Sequence, residues 1–180
     1  MKNQIFLLSI GSGGMNILHD IKCLKIENCR FLYINNIDYK AKEDNFEPIF
    51  DKIDKKEKII LNQDNLEEKL SNFLLSTKQI NIVITLGSQT AMISPKILAF
   101  ILNNLSLKVN IYAIYPFHFE NKEIIKRADE TLSNIKQITE NIFLFYNDKL
   151  FEKGHNIKMQ ELFKSLSEEI YNHIKSHHDL

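Results

Sequence analysis

The segment Ile5-Phe6-Leu7-Leu8-Ser9-Ile10-Gly11-Ser12-Gly13-Gly14-Met15-Asn16 decides the fold of this chain. Its first half is a short, continuous apolar run, which predicts a buried strand rather than a membrane span or a leader sequence. Its second half is rich in glycine and leads into an amphipathic stretch, which predicts a helix. A buried strand that turns through glycines into a helix begins a β-α-β unit, so this segment indicates a parallel sheet.

The rest of the chain repeats this alternation of short apolar runs and longer amphipathic stretches. The predicted strands lie near 4–10, 30–36, 80–86, 109–115 and 142–146, with a short edge strand at 58–61. The predicted helices lie near 15–26, 64–77, 90–105, 121–138 and 157–176. Together these elements predict an α/β fold, namely a doubly wound, mainly parallel sheet of about five to six strands with helices on both faces.

The size and composition of the chain fit one folded unit. It has 180 residues, of which 44% are hydrophobic, and a typical domain has about 150 residues. We therefore expect a single domain over 1–180 that includes the last helix at about 157–176.

The charged residues exclude two classes of partner. The chain has 23 basic and 23 acidic residues and no net charge, and Arg30 and Arg127 are its two arginines. It therefore has neither an overall field nor many guanidinium groups to attract nucleic acid or an anionic membrane. The two cysteines form no CxxC motif and no leader pattern is present, which predicts a cytoplasmic protein.

The turns that follow the strands are where a ligand would bind, because open parallel sheets bind ligands beyond the carboxyl ends of their strands. In the first turn, Gly11, Gly13 and Gly14 would let the backbone approach a phosphate at a helix amino terminus. The alternative is a tight turn that packs the helix closely on the sheet. The turn matches neither GxGxxG nor GxxxxGK[ST], which excludes the two common phosphate motifs.

Four more turns follow the other strands at this edge. They are Asn35-Asn36-Ile37-Asp38, Thr85-Leu86-Gly87-Ser88-Gln89-Thr90-Ala91, Tyr115-Pro116-Phe117-His118-Phe119-Glu120 and Tyr146-Asn147-Asp148-Lys149-Leu150. The third of these five turns contains one glycine and precedes Pro95, so it resembles a phosphate-binding loop in outline.

Taken in order, the five turns resemble those of the tubulin superfamily, in particular the nucleotide-binding domain of the cell-division GTPase FtsZ. Pro116-Phe117-His118-Phe119-Glu120 matches the Pro-Phe-x-Phe-Glu motif of that family, and Ala128-Asp129-Glu130 follows at the family's spacing. Tyr146-Asn147-Asp148-Lys149-Leu150 is similar to its Pro-Asn-Asp-Arg/Lys-Leu motif, and Asn36-Ile37-Asp38 is similar to its Asn-Thr-Asp. We do not expect two specific motifs about 30 residues apart to match by chance.

The resemblance implies a bound GTP or GDP and assigns the residues around it. Glu120 would contact the ribose, Asn147 the guanine edge, Phe163 the face of the base and Glu168 the guanine. Core packing is an equal alternative for Phe163, and Glu168 could be an ordinary surface residue. The cofactor-binding residues implied are Gly11, Ser12, Gly13, Gly14, Asn16, Asn36, Asp38, Gly87, Ser88, Thr90, Glu120, Asn147, Phe163 and Glu168.

The sequence also departs from the family pattern. The Gly-Gly-Gly-Thr-Gly-Thr-Gly signature aligns with 86–92, where Gly87 is the glycine that remains, and the basic residue after Pro-Phe-x-Phe-Glu is Ile124. The sequence stops where the family's central helix ends, so we expect the second domain and its catalytic acids to be absent. The resemblance then implies no catalytic residues and no GTPase turnover by this chain alone.

These observations lead to a main hypothesis and two alternatives. The main one is a stand-alone FtsZ-like domain that binds guanine nucleotide without efficient hydrolysis and regulates or caps a filament-forming FtsZ-type partner, or self-associates. The first alternative is a pseudo-GTPase scaffold that no longer binds nucleotide. The second is a GTPase that borrows catalytic acids from a partner.

A histidine group near the carboxyl terminus is the remaining candidate site. His173, His177 and His178 are spaced for metal chelation on a helix. We interpret them instead as a solvated helix end and predict no metal site.

Overall fold

The computed structural model describes residues 4–24, 28–36, 54–61, 64–153 and 158–177. In the described residues six parallel strands form one sheet in the order β3-β2-β1-β4-β5-β6. The strands are β1 (Ile5–Ile10), β2 (Cys29–Asn36), β3 (Lys58–Leu61), β4 (Gln79–Thr85), β5 (Lys108–Tyr115) and β6 (Ile142–Tyr146). The helices are α1 (Gly11–Cys23), α2 (Leu66–Leu74), α3 (Ser94–Leu105), α4 (Lys122–Lys136) and α5 (Met159–His177).

Helices cover both faces of the sheet, which confirms the doubly wound α/β prediction. One core cluster joins side chains of the central strands to α2, α3 and α4, and includes Phe6, Ile82 and Ile101. The other joins the opposite face to α1 and α5, and includes Leu18 and Ile170. Side chains alternate between the two faces of the sheet along each strand, and helices cover both faces. All six residues of β1 are therefore buried.

The strand predictions are confirmed to within one residue, including the edge strand at Lys58–Leu61. The apolar runs that were read as strands are buried on two faces, and such runs are the clearest sequence signal of a parallel sheet. Within the described residues no helix is long and apolar enough to cross a membrane.

The helix boundaries depart further from the prediction than the strand boundaries do. Helix α1 begins at Gly11 rather than near residue 15, since the extended backbone of Ile10 passes directly into the helix through Gly11, whose φ is +83°. Before α3, Thr90–Ile93 form a short 3₁₀ helix, and the regular helix starts only at Ser94, with Pro95 in its first turn. Proline favours a helix start because its φ is already helical and its nitrogen has no hydrogen to satisfy.

Candidate functional site

All the parallel strands end at the same edge of the sheet, and neighbouring strands place their turns side by side. Tyr115 at the end of β5 is in register with Tyr146 at the end of β6. Ile10 near the end of β1 is in register with Ile84 near the end of β4. The edge therefore has two parts, an aromatic end formed by residues 116–120, 147–150 and Phe163, and a glycine end formed by residues 11–16 and 86–92.

A contact between His118 and Asp148 joins the two turns of the aromatic end. The Asp148 carboxylate accepts a hydrogen bond from the backbone N–H of His118 at 3.2 Å, and its Oδ1 lies 2.9 Å from His118 Nδ1. The hydrogen bond from the His118 side chain lowers the pKa of the Asp148 carboxyl below its usual value. No role for His118 could be predicted from the sequence, because it is the pairing of β5 with β6 that places His118 beside Asp148.

Asn147 lies at the centre of the aromatic end. It follows β6, is 5% exposed, and its Oδ1 has no hydrogen-bond partner among the described residues. An unpaired buried polar atom of this kind costs about 1–3 kcal/mol. A ligand that donates a hydrogen bond to this oxygen would recover that cost.

Aromatic rings are also part of this end of the edge. Phe117 is buried and its ring stacks on that of Phe119 at 4.9 Å between centroids. The ring of Phe163, on α5, meets Phe117 edge to face at 6.4 Å. Phe163 also packs against the core cluster shared with α1, so it contributes to the core and lies at the aromatic end as well.

The two acidic residues assigned by resemblance lie in different surroundings. Glu120 Oε1 accepts a hydrogen bond from the backbone N–H of Phe117 at 3.3 Å, so its carboxylate bends back over its own turn. Glu168 is exposed on α5. Asn121, directly after Glu120, caps α4 by accepting a hydrogen bond from the N–H of Glu123 at 2.9 Å.

At the glycine end the first turn is packed closely on β4. A Cβ added to Gly14 would lie 2.6 Å from the carbonyl oxygen of Val83, and one added to Gly13 would lie 2.4–2.9 Å from side-chain atoms of Thr85. Real Cβ contacts do not come this close, so these two glycines are needed for α1 to rest on the sheet. Of the neighbouring predicted residues, Ser12 is half-buried and Asn16 is exposed on α1.

The second segment of the glycine end makes hydrogen bonds within itself. The N–H of Ala91 donates to Ser88 Oγ at 3.1 Å, and the N–H of Met92 donates to the carbonyl of Gln89 at 3.2 Å. The hydroxyl of Ser94 donates to the carbonyl of Ala91. These bonds build the 3₁₀ turn at Thr90–Ile93 and occupy donors that a phosphate-binding loop would offer to its ligand.

Helix α4 holds this segment from one side. Gly87 has a φ of +92°, and a Cβ on it would lie 2.6 Å from Cγ2 of Ile124. Nε of Arg127 donates to the Gly87 carbonyl at 2.8 Å, and its Nη1 lies 3.9 Å from Glu123 Oε2. Sequence reasoning did not identify Arg127, because the contact spans 40 residues and belongs to no motif.

The second turn is partly described. Asn35 is buried, and its Oδ1 accepts a hydrogen bond from the Thr90 hydroxyl at 3.4 Å, which ties β2 to the glycine end. Asn36 ends β2, and its side chain lies outside the described residues, as does the whole of Asp38. The predictions for these two residues stay predictions.

The histidine group differs from the predicted solvated helix end. The rings of His173 and His177 stack at 4.4 Å, and His173 packs on Phe143 and Tyr112. Burial, followed by the proximity of His177, lowers the pKa of His173. His173 is thus half-buried against aromatic rings of β5 and β6, unlike the prediction, whereas His177 is exposed as predicted. His178 lies outside the described residues.

The described residues contain no group of three or more His, Cys, Asp or Glu side chains placed to hold a metal ion. A cavity of about 400 Å³ lies between β6 and α5, and Lys149, Glu169 and His173 are among the residues that line it. Neither Asn147 nor Phe163 lines this cavity, but Lys149 and Leu150 do, so the cavity adjoins the aromatic end.

The fold is that of the N-terminal domain of tubulin and FtsZ proteins. The FtsZ dimer of M. jannaschii, solved in the empty state, superimposes with a TM-score of 0.72 at 22% sequence identity. The match covers 97% of this chain and 54% of that chain. At this identity the likeness defines the fold.

Two curated proteins are similar in sequence. One is cell division protein FtsZ 1 of Methanocaldococcus jannaschii, 28% identical over 108 residues, which are 60% of this chain and 30% of that protein. The other is the mitochondrial division protein fszA of Dictyostelium discoideum, 22% identical over 113 residues, which are 63% of this chain and 22% of that protein. No protein-family model matches the chain. The chain spans about half the length of the solved structure and matches less than a third of each curated relative.

Proposed function

We propose that this chain binds a guanine nucleotide at the aromatic end and does not hydrolyse it unaided. The observation that carries the proposal is Asn147, whose buried Oδ1 lacks a partner among the described residues. The Watson–Crick edge of guanine presents N–H groups, and these could donate the hydrogen bond that the Asn147 oxygen lacks.

The aromatic rings support the same ligand. Phe163 and Phe119 belong to the same end of the sheet edge as Asn147, and Phe119 is 61% exposed. Stacking of a base on an aromatic side chain contributes about 1–3 kcal/mol. A planar base with N–H donors on one edge would cover exposed aromatic surface and at the same time donate a hydrogen bond to Asn147.

The proposal of no unaided hydrolysis rests on the glycine end. The loop that corresponds to the family's phosphate loop bonds its own N–H groups at Ala91 and Met92. Ile124, at the position that is basic in the FtsZ family, packs on Gly87. Both features remove groups that would stabilise charge developing on a transferred phosphoryl group.

Calorimetric titration with GDP tests nucleotide binding. We expect micromolar affinity for the wild-type chain and at least a tenfold loss in Asn147→Ala. Asn134→Ala is the matched control, because Asn134 is exposed on α4, away from this turn. Absence of binding to the wild-type chain, or equal binding by Asn147→Ala, contradicts the proposal.

We further propose that the same edge docks on a filament-forming protein of the FtsZ type and caps its growth. Three large apolar side chains at this edge are well exposed, namely Phe119 at 61%, Met92 at 48% and Tyr146 at 40%. Exposed apolar residues gathered at one edge favour a protein contact. This edge also carries the candidate nucleotide site, so docking and nucleotide binding would be coupled.

Sedimentation of an FtsZ protein with sub-stoichiometric amounts of this chain tests docking. We expect less polymer with the wild-type chain and normal polymer with Phe119→Ser. Leu75→Ser is the control, since Leu75 is 80% exposed but lies before the amino end of β4, at the opposite edge. Unchanged assembly with the wild-type chain, or equal inhibition by Phe119→Ser, contradicts capping.

The second candidate function is a pseudo-GTPase scaffold, which the internally bonded 86–92 loop favours. It predicts that the chain inhibits FtsZ assembly although no guanine nucleotide gives heat on titration. The two experiments above therefore separate the two functions.

A further inference from the structure

The two segments of the glycine end lie directly against each other. A Cβ on Gly11 would lie 3.1 Å from Ser88 Oγ and 3.5 Å from Thr90 Cβ. The side chains of Ser88 and Thr90 therefore occupy the space between the first turn and the 86–92 loop. A chain of phosphates would need that space.

Several polar groups of the glycine end are also hydrogen-bonded within the protein. The Ser88 hydroxyl accepts from the N–H of Ala91, and the Thr90 hydroxyl donates to Asn35. Arg127 uses its Nε on the Gly87 carbonyl. A phosphate that entered here would have to break these bonds and would lose much of what it gained.

The lack of basic residues in the glycine end also disfavours a bound polyphosphate. Segments 11–16 and 86–92 contain no lysine or arginine, and the Arg127 guanidinium that reaches Gly87 also lies near the Glu123 carboxylate, at 3.9 Å. Each phosphate of a nucleotide adds negative charge that needs a cation or several donors. The aromatic end needs neither, because it would recognise an uncharged base.

We infer that the ligand of this site is a guanine nucleoside or its monophosphate, held by base and ribose, so that a second and a third phosphate add nothing to affinity. The inference rests on the proposed function and makes it more specific. It assigns recognition of the base to Asn147 and the aromatic rings of the same end, and it assigns to Ser88 and Thr90 the exclusion of a polyphosphate.

Calorimetric titration of the full chain with GMP, GDP and GTP tests this inference. We expect the three dissociation constants to agree within threefold. GDP or GTP binding more than threefold tighter than GMP overturns the inference while leaving the proposed function intact. If none of the three binds, the proposed function fails, and this inference fails with it.

A loop variant provides a second test. In Ser88→Gly/Thr90→Gly the two side chains that face Gly11 are removed, and we expect the ratio of GDP affinity to GMP affinity to rise at least fivefold. Gln89→Gly is the control for added flexibility, because Gln89 is an exposed residue of the same loop, and its ratio should stay at the wild-type value. Equal ratios in the two variants contradict the role of Ser88 and Thr90; if the double variant does not fold, the wild-type titrations decide.

Discussion

The aromatic end and the glycine end lie at the same edge of one sheet, yet of the two, as far as the described residues show, the aromatic end alone keeps a buried side-chain atom without a hydrogen-bond partner. At the aromatic end Asn147 keeps a buried oxygen without a partner among the described residues. At the glycine end the Ala91 N–H, the Gly87 carbonyl and the Thr90 hydroxyl are all bonded within the protein. We therefore expect a ligand at the aromatic end, whereas at the glycine end Ser88 and Thr90 lie close to Gly11.

The largest expected effect comes from the glycines of the first turn. Gly14→Ala would place a Cβ 2.6 Å from the Val83 carbonyl oxygen. Such overpacking costs about 1–3 kcal/mol, and we expect the upper part of that range since the clash is with backbone. Urea denaturation measures it. Asn16→Ala, on the exposed side of the same helix, is the control, and equal stability of the two variants would contradict the packing role of Gly14.

Arg127 gives the next largest effect. Arg127→Met removes the hydrogen bond to the Gly87 carbonyl while keeping the aliphatic stem, and bonds from charged donors contribute about 1.5–3 kcal/mol. Partial exposure of the side chain, 26%, lowers our expectation to about 1 kcal/mol. Lys126→Met is the control, because Lys126 is 76% exposed and its one ion pair in the described residues, with Glu130 at 3.8 Å, is long and solvated. Thermal or urea unfolding of both variants should separate them, and an equal loss would mean that Arg127 does not hold the loop.

Asn147→Ala should weaken ligand binding more than it lowers the stability of the fold. Since its Oδ1 is buried without a partner in the described residues, its removal should cost less than about 1 kcal/mol in stability while guanine binding falls at least tenfold. The same urea denaturation and calorimetry report both quantities. A large loss of stability with unchanged binding would assign Asn147 to the fold instead of the ligand.

The smallest effect is the pH dependence of the His118–Asp148 contact. Because the pKa of Asp148 is lowered in the folded state, its contribution to stability is present above the ordinary carboxyl pKa. This contribution is lost as the pH falls through the pKa that Asp148 has in the folded state. Asp148→Asn should therefore flatten the acid limb of the stability curve below about pH 4. A curve that parallels the wild type would show that the contact does not contribute.

Much of the fold could be predicted from the sequence because apolar runs buried on both faces leave a strong periodic signal. The strand ends were predicted within one residue, but the start of α1 was not, because Gly11 permits a direct passage from strand to helix that no capping residue marks. The order of the turns was enough to indicate the class of fold and the edge at which a site would lie.

The state of each polar group at that edge could not be predicted. The contact between His118 and Asp148 needs the register of β5 and β6, and that between Arg127 and Gly87 needs the position of α4. The close packing of Gly13 and Gly14 on β4 agrees with the alternative stated from the sequence, a tight turn that packs the helix on the sheet, but the contacting residues, Val83 and Thr85, could not be named in advance. These are distances between parts of the chain that are remote in sequence, and motifs do not encode them.

Chemical-shift mapping of the isotopically labelled chain with GMP shows which end of the sheet edge binds the base. We expect saturable shifts of backbone amides in 117–120, in 147–150 and around Phe163, with Ser88–Met92 unchanged. Shifts concentrated in 11–14 and 87–92, or no saturable shifts at all, would contradict this expectation.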